Sequence, residues 1–146
     1  MPREKLRFAS VAEGDAVPRF AVENVSRVDF VRYAGASSDF NAIHYDETFA
    51  KSAGYPTVFA QGMFTAGLLA KCVTDYVGRP NLRAYRVSFR AQVWSGDTIT
   101  CAGKVTKKLQ AGGENRIEGE VTATNQKGET VVQGRSEEHT SELQSR

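Results

Sequence analysis

Histidine and cysteine are scarce in this sequence of 146 residues, and their scarcity limits the chemistry that it can carry. It contains two residues of each type. Cys72 and Cys101 fall in a helical and a strand-like pattern, without the spacing of metal ligands, so we expect two buried, reduced thiols without a function. His44 is the one histidine outside a C-terminal segment of unusual composition, and a single histidine cannot build the usual zinc site. Glycine-rich phosphate loops are also absent. We therefore predict no metal site and no cofactor.

Long apolar runs are absent as well. No segment approaches the roughly 18 consecutive apolar residues of a membrane-spanning helix, and the residues after Met1 lack the apolar stretch of a signal peptide. We expect a cytoplasmic protein that does not bind membranes. A hydrophobic content of 40% suits one domain with a modest core, and no internal repeat or linker divides the chain.

The charges are nearly balanced, with a formal net charge of +2. Basic residues recur in the second half, but they alternate with acids and lack the aromatic platform that single-strand binders use. We therefore predict no binding of nucleic acid. A mildly basic surface can steer an acidic acyl-carrier protein or the phosphates of coenzyme A, although a solvated face explains the same pattern.

The last twelve residues, 135–146, lack apolar periodicity and break the strand pattern before them. The run from Arg135 to Ser145 resembles the translation of a sequencing-library adapter, so we predict a non-native tail. Such segments are excluded from fold reasoning. The native last strand is accordingly expected to be truncated near Gly134, and His139 is expected to play no part in catalysis.

The first half of the chain has helical signals. Ser26 and Asp29 have the spacing of a capping box, in which each side chain satisfies a free amide at a helix start. This box predicts a helix from about Arg27 to Ala34, ended by Gly35. Asp46 can cap a second helix that reaches about Lys51. Two sets of residues are expected to face the core from these helices: Val28, Val31 and Ala34 with Phe30 alongside from the first, and Phe49, Ala50 and Ala53 from the second.

A third, longer helix is predicted over Met63 to Val77, and because it is apolar on nearly every side it should be buried. Strand patterns follow, with glycine-containing turns between them. They predict an antiparallel sheet whose apolar face covers the buried helix, which is an α+β fold. The predicted strands are Phe20–Glu23, 84–91, Thr98–Val105, Arg116–Thr124 and Thr130–Gly134.

The segment between the first two helices carries the reactive side chains. Asp39, Asn41 and His44 lie within six residues in a Gly/Ser-rich loop, so a loop that curls back brings a carboxylate and an imidazole to one substrate atom. The alternative is structural: Asp39 and Asn41 cap turns, and His44 is a satisfied core histidine. Spacing alone does not decide between the two.

The residues themselves resemble a known signature. Tyr33-Ala-Gly-Ala-Ser-Ser-Asp39-Phe-Asn41-Ala-Ile-His44-Tyr-Asp46, followed by Ala60-Gln-Gly-Met63, resembles that of MaoC-like R-specific enoyl hydratases and 3-hydroxyacyl dehydratases. The likeness covers about residues 8–134 and is greatest to the catalytic subunit of actinobacterial-type (3R)-hydroxyacyl-ACP dehydratases. Ala42 stands where a proline is usual, which can loosen the loop. Gln61 stands where a histidine often precedes the Gly-Met pair, which can alter substrate positioning.

This resemblance implies a single hot-dog domain over residues 1–134, with an antiparallel sheet wrapped around a long central helix. It implies reversible dehydration of (R)-3-hydroxyacyl thioesters of coenzyme A or ACP to trans-2-enoyl thioesters. Asp39 and His44 would be the catalytic dyad, Asn41 would orient the loop or a water, and the Gly62 amide would polarise the thioester carbonyl. A homodimer or a heterodimer with a related hot-dog subunit is expected. A hot-dog thioesterase and a non-catalytic acyl-binding subunit are the alternatives, and chain length, carrier and direction stay open.

Overall fold

The structure is a computed structural model that describes residues 6–139. It has one layer of helices on one sheet, in the order of elements β1, α1, α2, α3, β2, β3, β4, β5. The helices are α1 (Arg27–Ser37), α2 (Glu47–Ser52) and α3 (Gly62–Val77). The strands are β1 (Ala16–Val22), β2 (Leu82–Phe89), β3 (Ile99–Ala111), β4 (Glu114–Thr124) and β5 (Thr130–His139).

The five strands form one antiparallel sheet in the order β1-β3-β4-β5-β2. The β3–β4 hairpin turns at Gly112 and Gly113, whose φ angles of 58° and 77° fall in the left-handed region that glycine tolerates best. Strands β3 and β4 each run longer than predicted, because their pairing continues to the turn. Among these five strands, β1 and β2 are the two edges of the sheet.

Helix α3 lies against the inner face of this sheet and forms the centre of the core. Leu69 is fully buried, and alternate residues of the facing strands, such as Val105 and Val121, are nearly so. The predicted antiparallel sheet around a buried central helix is therefore confirmed. Within residues 6–139, no helix combines the length and the apolar character needed to cross a bilayer.

Both cysteines lie in this core as free thiols, as predicted. Cys72, on α3, donates to the Pro18 carbonyl oxygen at 3.4 Å. Burial raises the pKa of the Cys101 thiol to about 12. A thiol with such a pKa stays protonated at neutral pH and is a poor nucleophile.

Helix α1 begins as predicted and ends later. The Ser26 hydroxyl accepts from the Asp29 amide, and the Asp29 carboxylate accepts from the Ser26 amide at 2.9 Å, which completes the capping box. The prediction that Gly35 ends the helix was wrong. The helix continues to Ser37, and Ser38 ends it with a φ of 62°. A glycine inside a helix costs only about 1 kcal/mol, which the rest of the fold offsets here.

The predicted buried sides of α1 and α2 were wrong in part. Val28 and Val31 are 56% and 55% exposed, whereas Phe30 and Ala34 are buried. Phe30 and Ala34 are four residues apart, so they share one face of the helix and turn the two valines outward. In the second set, Ala50 is buried as expected, but Phe49 is 46% exposed and Ala53 is exposed as well.

Strand β5 does not end near Gly134, which corrects the expected truncation there. It runs on to His139 and pairs with both β2 and β4 over this extension. Alternation places Ser136 and Glu138 on the inner face, where both are buried. The non-native origin of residues 135–146 stays a prediction, and residues 140–146 lie outside the described part of the chain.

Candidate functional site

The loop between α1 and α2 is held together by its own side chains. The Asp39 carboxylate accepts from the Asn41 amide at 3.3 Å, and the Asn41 side-chain oxygen accepts from the Ile43 amide at 3.2 Å. The latter bond caps a short 3₁₀ turn over Ala42–His44. The structural interpretation of Asp39 and Asn41 as turn-forming residues is therefore correct. It does not compete with a chemical role, because the Asp39 carboxylate is 46% exposed.

His44 points the other way, into the protein. Its side chain is 8% exposed, and its Nδ1 lies 2.8 Å from the carbonyl oxygen of Phe59. A carbonyl oxygen only accepts, so Nδ1 carries the proton and donates it. The Nε2 atom of a neutral His44 is then free to accept a proton. The segment that supplies this carbonyl is fixed in turn by a bridge between Phe59 and Trp94.

Asp39 and His44 come together as predicted. The Nε2 atom of His44 lies 3.8 Å from Oδ2 of Asp39. This separation is too long for a direct hydrogen bond, so each group keeps its capacity to bond to a third atom. A carboxylate and an imidazole nitrogen that face a common point can exchange protons with a reactant placed there.

Two hydrogen bonds of Asn41 hold the loop. Its side-chain oxygen is engaged by the Ile43 amide, and its own backbone amide holds Asp39. Both contacts orient the loop, which is one of the two roles expected for it. Ala42, in the place of the usual proline, begins the 3₁₀ turn that this cap stabilises.

Gly62 is the first residue of α3, where backbone amides have no acceptor inside the helix. The preceding residue makes no side-chain cap, in contrast to the starts of α1 and α2. The helix dipole adds partial positive charge at this point. A β-carbon at Gly62 would lie 2.9 Å from Cε1 of Phe89, so the aromatic ring covers the space beside this glycine.

Gln61, which precedes α3, contacts α1. Its side chain is buried, and its Nε2 donates to the Phe30 carbonyl oxygen at 2.9 Å. Its Oε1 has no hydrogen-bond partner among the described residues. The residue therefore joins α1 to the start of α3.

A cavity of about 250 Å³ opens beside Gly62. Its walls include Phe59, Thr65 and Phe89, with Arg90 at one side. Phe59 also supplies the carbonyl that holds His44, so one residue contacts both the cavity and the dyad. Asp39 and His44 are not among the residues that line the cavity. Within residues 6–139, no three His, Cys, Asp or Glu side chains are grouped to hold a metal ion.

Sequence reasoning missed three residues of this site: Phe30, Phe59 and Phe89. Two of them act through their backbone carbonyls, as acceptors for Gln61 and His44. Every residue has a carbonyl, so this role leaves no signal in the sequence. Phe89 reaches Gly62 across 27 positions of the chain, and only the fold shows that contact.

The chain matches the family described as MaoC like domain over residues 9–129. Among curated relatives it is 30% identical to the (R)-specific enoyl-CoA hydratase of Rhodospirillum rubrum, over 68% of this chain and 69% of that protein. Some relatives are far longer, and the chain spans 9% of the length of one of them.

Solved structures share the fold. R-hydratase PhaJ1 from Pseudomonas aeruginosa aligns with a TM-score of 0.81 at 23% identity, over 92% of this chain and 84% of that one. The ChsH1-ChsH2 complex from Mycobacterium tuberculosis aligns with a TM-score of 0.77 at 24% identity, over 88% of this chain and 98% of that one. At these identities the likeness shows that the fold is that of a hot-dog domain, as predicted.

Proposed function

The chain belongs to the MaoC-like family, and from this membership and the geometry of the site we propose that it is a hydro-lyase acting on acyl thioesters. The proposed reaction is the reversible dehydration of (R)-3-hydroxyacyl thioesters to trans-2-enoyl thioesters in fatty-acid metabolism. The observation that carries this proposal is the pair formed by the Asp39 carboxylate and His44 Nε2, 3.8 Å apart on one loop. The relative from Rhodospirillum rubrum, named an (R)-specific enoyl-CoA hydratase, supports the same reaction type.

Dehydration requires two proton transfers and one place for negative charge. A base removes the proton from C2, the electron pair forms the C2–C3 double bond, and the C3 hydroxyl leaves as water after it receives a proton. Asp39 and His44 share these transfers, one acting on C2 and the other on the hydroxyl. In the hydration direction the same two groups hold the attacking water.

The thioester oxygen gains negative charge as the C2 proton leaves. We place this oxygen at the Gly62 amide, because the uncapped start of α3 offers a donor and the positive end of a helix dipole. Removing one such donor from a well-studied oxyanion site costs about 3 kcal/mol of transition-state stabilisation. Because Gly62 has no side chain, the thioester can approach the backbone when the exposed Phe89 ring moves aside.

The substrate carrier is coenzyme A or an acyl-carrier protein, and the protein acts as a dimer. Strand β2 is an edge of the sheet, and an open edge favours pairing with a second sheet. The partner is a second copy or a related hot-dog subunit. The ChsH1-ChsH2 complex is, by its name, an assembly of two different chains, which supports the heterodimer as one of these two forms. A cytoplasmic location stays a prediction.

The test follows the enoyl-thioester absorbance of crotonyl-CoA with wild type, Asp39→Asn and His44→Asn. We expect the band to disappear with wild type and the rate to fall by about 10²- to 10⁴-fold in each variant, the usual contribution of a general acid or base. His139→Asn is the matched control, because His139 is also a buried histidine but lies beside Glu114, with Nδ1 3.0 Å from its carboxylate. Its rate should equal that of wild type.

Other outcomes identify the alternatives. Release of free thiol in proportion to the loss of the enoyl band would establish a thioesterase, because hydrolysis cleaves the conjugated thioester whereas hydration releases no thiol. If wild type leaves the substrate unchanged, a crotonyl-ACP substrate and a candidate partner subunit are supplied. Binding without turnover under those conditions would establish an acyl-binding subunit. Full activity in His44→Asn would contradict the assigned dyad.

A further inference from the structure

A second depression in the surface adjoins the cavity beside Gly62. It has a volume of about 230 Å³, lies over β2 and β5, and includes Arg86, Arg90 and Arg135. We call it the arginine groove. Arg90 lines both the arginine groove and the Gly62 cavity, so the two depressions meet at this residue.

The arginine groove has more positive than negative charge. Arg86 pairs across the sheet with Arg135, which places two like charges directly opposite each other, an arrangement that destabilises a sheet in isolation. Glu120 is the carboxylate among the groove residues, and it lies 3.7 Å from Arg135. Within residues 6–139, no carboxylate lies within ion-pair distance of Arg86 or Arg90.

Arg90 is held in this groove by a neutral partner. Its Nη2 lies 3.4 Å from the Gln133 side-chain oxygen, a weak bond that leaves most of its donors available. Both Arg86 and Arg90 are exposed. These two arginines share one groove and have no carboxylate partner among the described residues. The planar guanidinium group of each can donate paired hydrogen bonds, a geometry that suits phosphate oxygens.

We propose that Arg86 and Arg90 bind the phosphate groups of the pantetheine-bearing carrier of the thioester substrate. This inference rests on the proposed function, because it places the thioester at Gly62 and lets the carrier leave the cavity past Arg90. It does not use Arg135, which lies in the tail predicted to be non-native. The shared chemistry is a phosphate attached to pantetheine, which coenzyme A and a loaded carrier protein both have.

The test compares three thioesters that differ only in phosphate and nucleotide: crotonyl-pantetheine, crotonyl-4′-phosphopantetheine and crotonyl-CoA. The variant is Arg86→Gln/Arg90→Gln. Arg19→Gln is the control, since it removes an exposed arginine from β1 at the opposite edge of the sheet. We expect the double variant to raise KM about tenfold or more for substrates with phosphate and to keep kcat, because charge-assisted bonds to the carrier are lost. Its kcat/KM for crotonyl-pantetheine should fall by a much smaller factor, the part that comes from the place of Arg90 in the wall of the Gly62 cavity.

The pattern among substrates identifies the phosphate. If the double variant has a raised KM for both phosphorylated substrates, the groove binds the 4′-phosphate common to both carriers. If its KM is raised for crotonyl-CoA alone, the groove binds the nucleotide phosphates. Either result supports the proposal. The proposal is overturned if the double variant changes KM no more than Arg19→Gln does. It is also overturned if kcat/KM falls as much with crotonyl-pantetheine as with the phosphorylated substrates.

A binding measurement separates this proposal from the proposed function. Calorimetric titration with free coenzyme A needs no turnover. Wild type that hydrates none of the three substrates would contradict the hydro-lyase assignment. If that wild type still binds coenzyme A, and the double variant binds it at least tenfold more weakly, the phosphate-binding role of Arg86 and Arg90 is supported. If wild type and the double variant both hydrate crotonyl-CoA with the same KM, the phosphate-binding role of the two arginines is contradicted and the hydro-lyase assignment is supported. Absence of both binding and turnover overturns both.

Discussion

The Nδ1 atom of His44 and the carbonyl oxygen of Phe59 are 2.8 Å apart, although the two residues are 15 positions apart in the chain. This bond fixes which nitrogen of the imidazole carries the proton. It also makes the segment between α2 and α3 a support for the reactive loop. A turn-forming cluster and a buried acceptor together hold this histidine.

The tautomer of His44 is directly measurable. We expect neutral His44 to be protonated at Nδ1 and to have a free Nε2, because only a donor satisfies the Phe59 carbonyl. Long-range ¹H–¹⁵N correlation spectra of uniformly labelled protein distinguish the two tautomers. The spectrum of His139→Asn assigns the second histidine. A neutral His44 protonated at Nε2 would contradict the bond and the proton-accepting role of that atom.

Gly62→Ala should separate activity from stability. The added β-carbon meets the edge of the Phe89 ring at 2.9 Å, but Phe89 is 54% exposed and its ring can move aside. We therefore expect the free energy of unfolding to change by less than about 1 kcal/mol, while kcat/KM falls at least tenfold because the methyl group blocks the approach to the amide. Thermal melts and the crotonyl-CoA assay measure the two effects.

Gly67→Ala is the control on the same helix. No atom lies within 4 Å of a β-carbon at Gly67, so the substitution should leave activity unchanged and stabilise the helix by about 0.5 to 1 kcal/mol. Equal losses of activity in both variants would assign the effect to helix propensity and contradict the role of the Gly62 amide.

Glu138 should make stability depend on pH. Burial raises the pKa of this carboxyl to about 7, and the nearby charges of Glu137 and Glu118 add to the rise. The folded state therefore keeps the proton while the unfolded state, near its ordinary value of 4.5, has lost it. The contribution of Glu138 to stability is therefore most favourable below pH 4.5, and about 3 kcal/mol of it is lost as pH rises from 4.5 through 7.

Glu138→Leu should remove this contribution. The side chain faces Val73, Val77 and Ile117, so leucine should stabilise the fold most above pH 7. Denaturant unfolding from pH 5 to 8 measures the difference between the variant and wild type. Glu137→Leu, on the exposed side of the same strand, should reduce the slope with pH only slightly, because burial and not the Glu137 charge is the largest cause of the raised pKa of Glu138. If the stability of Glu138→Leu changes with pH as steeply as that of wild type, another group causes the pH dependence.

Ser26→Ala tests the start of the helix that leads into the reactive loop. Loss of the capping box should cost about 1 kcal/mol of stability, because the hydroxyl that accepts from the Asp29 amide and donates to the Asp29 carboxylate is removed. Ser95→Ala, an exposed serine outside the helices and strands, is the control and should have no effect. Chemical denaturation of the three proteins measures this. A Ser26→Ala variant as stable as wild type would show that packing alone fixes the start of α1.

Much of this architecture was predictable because the signals were local. The caps at Ser26 and Asp46 and the turn at Gly112 are short-range patterns, and the structure has all three. The proximity of Asp39 and His44 was also predictable, since five residues of loop cannot separate their side chains far. The predicted end of α1 failed because the left-handed conformation fell on Ser38 instead of Gly35.

Other features depended on tertiary contacts. The outward orientation of Val28 and Val31 follows from the burial of Phe30 and Ala34, and their spacing did not reveal which side faces the core. The extension of β5 through Ser136 and Glu138 contradicts local propensity. It forms because β2 and β4 lie on either side of this segment and hydrogen-bond to it. This pairing outweighs the low strand propensity of its residues.

The pairing of β1 with β3 affects the order in which this protein can mature on the ribosome. Cys101 is the partner of Phe20, and about eighty residues are synthesised between them. Asp39, His44 and Gly62 therefore leave the ribosome before the strands that cover α3 exist. Closing so long a loop is slow. A nascent chain that already contains every proposed reactive group should still be inactive, and it should expose the apolar side of α3 to chaperones until β3 has been made.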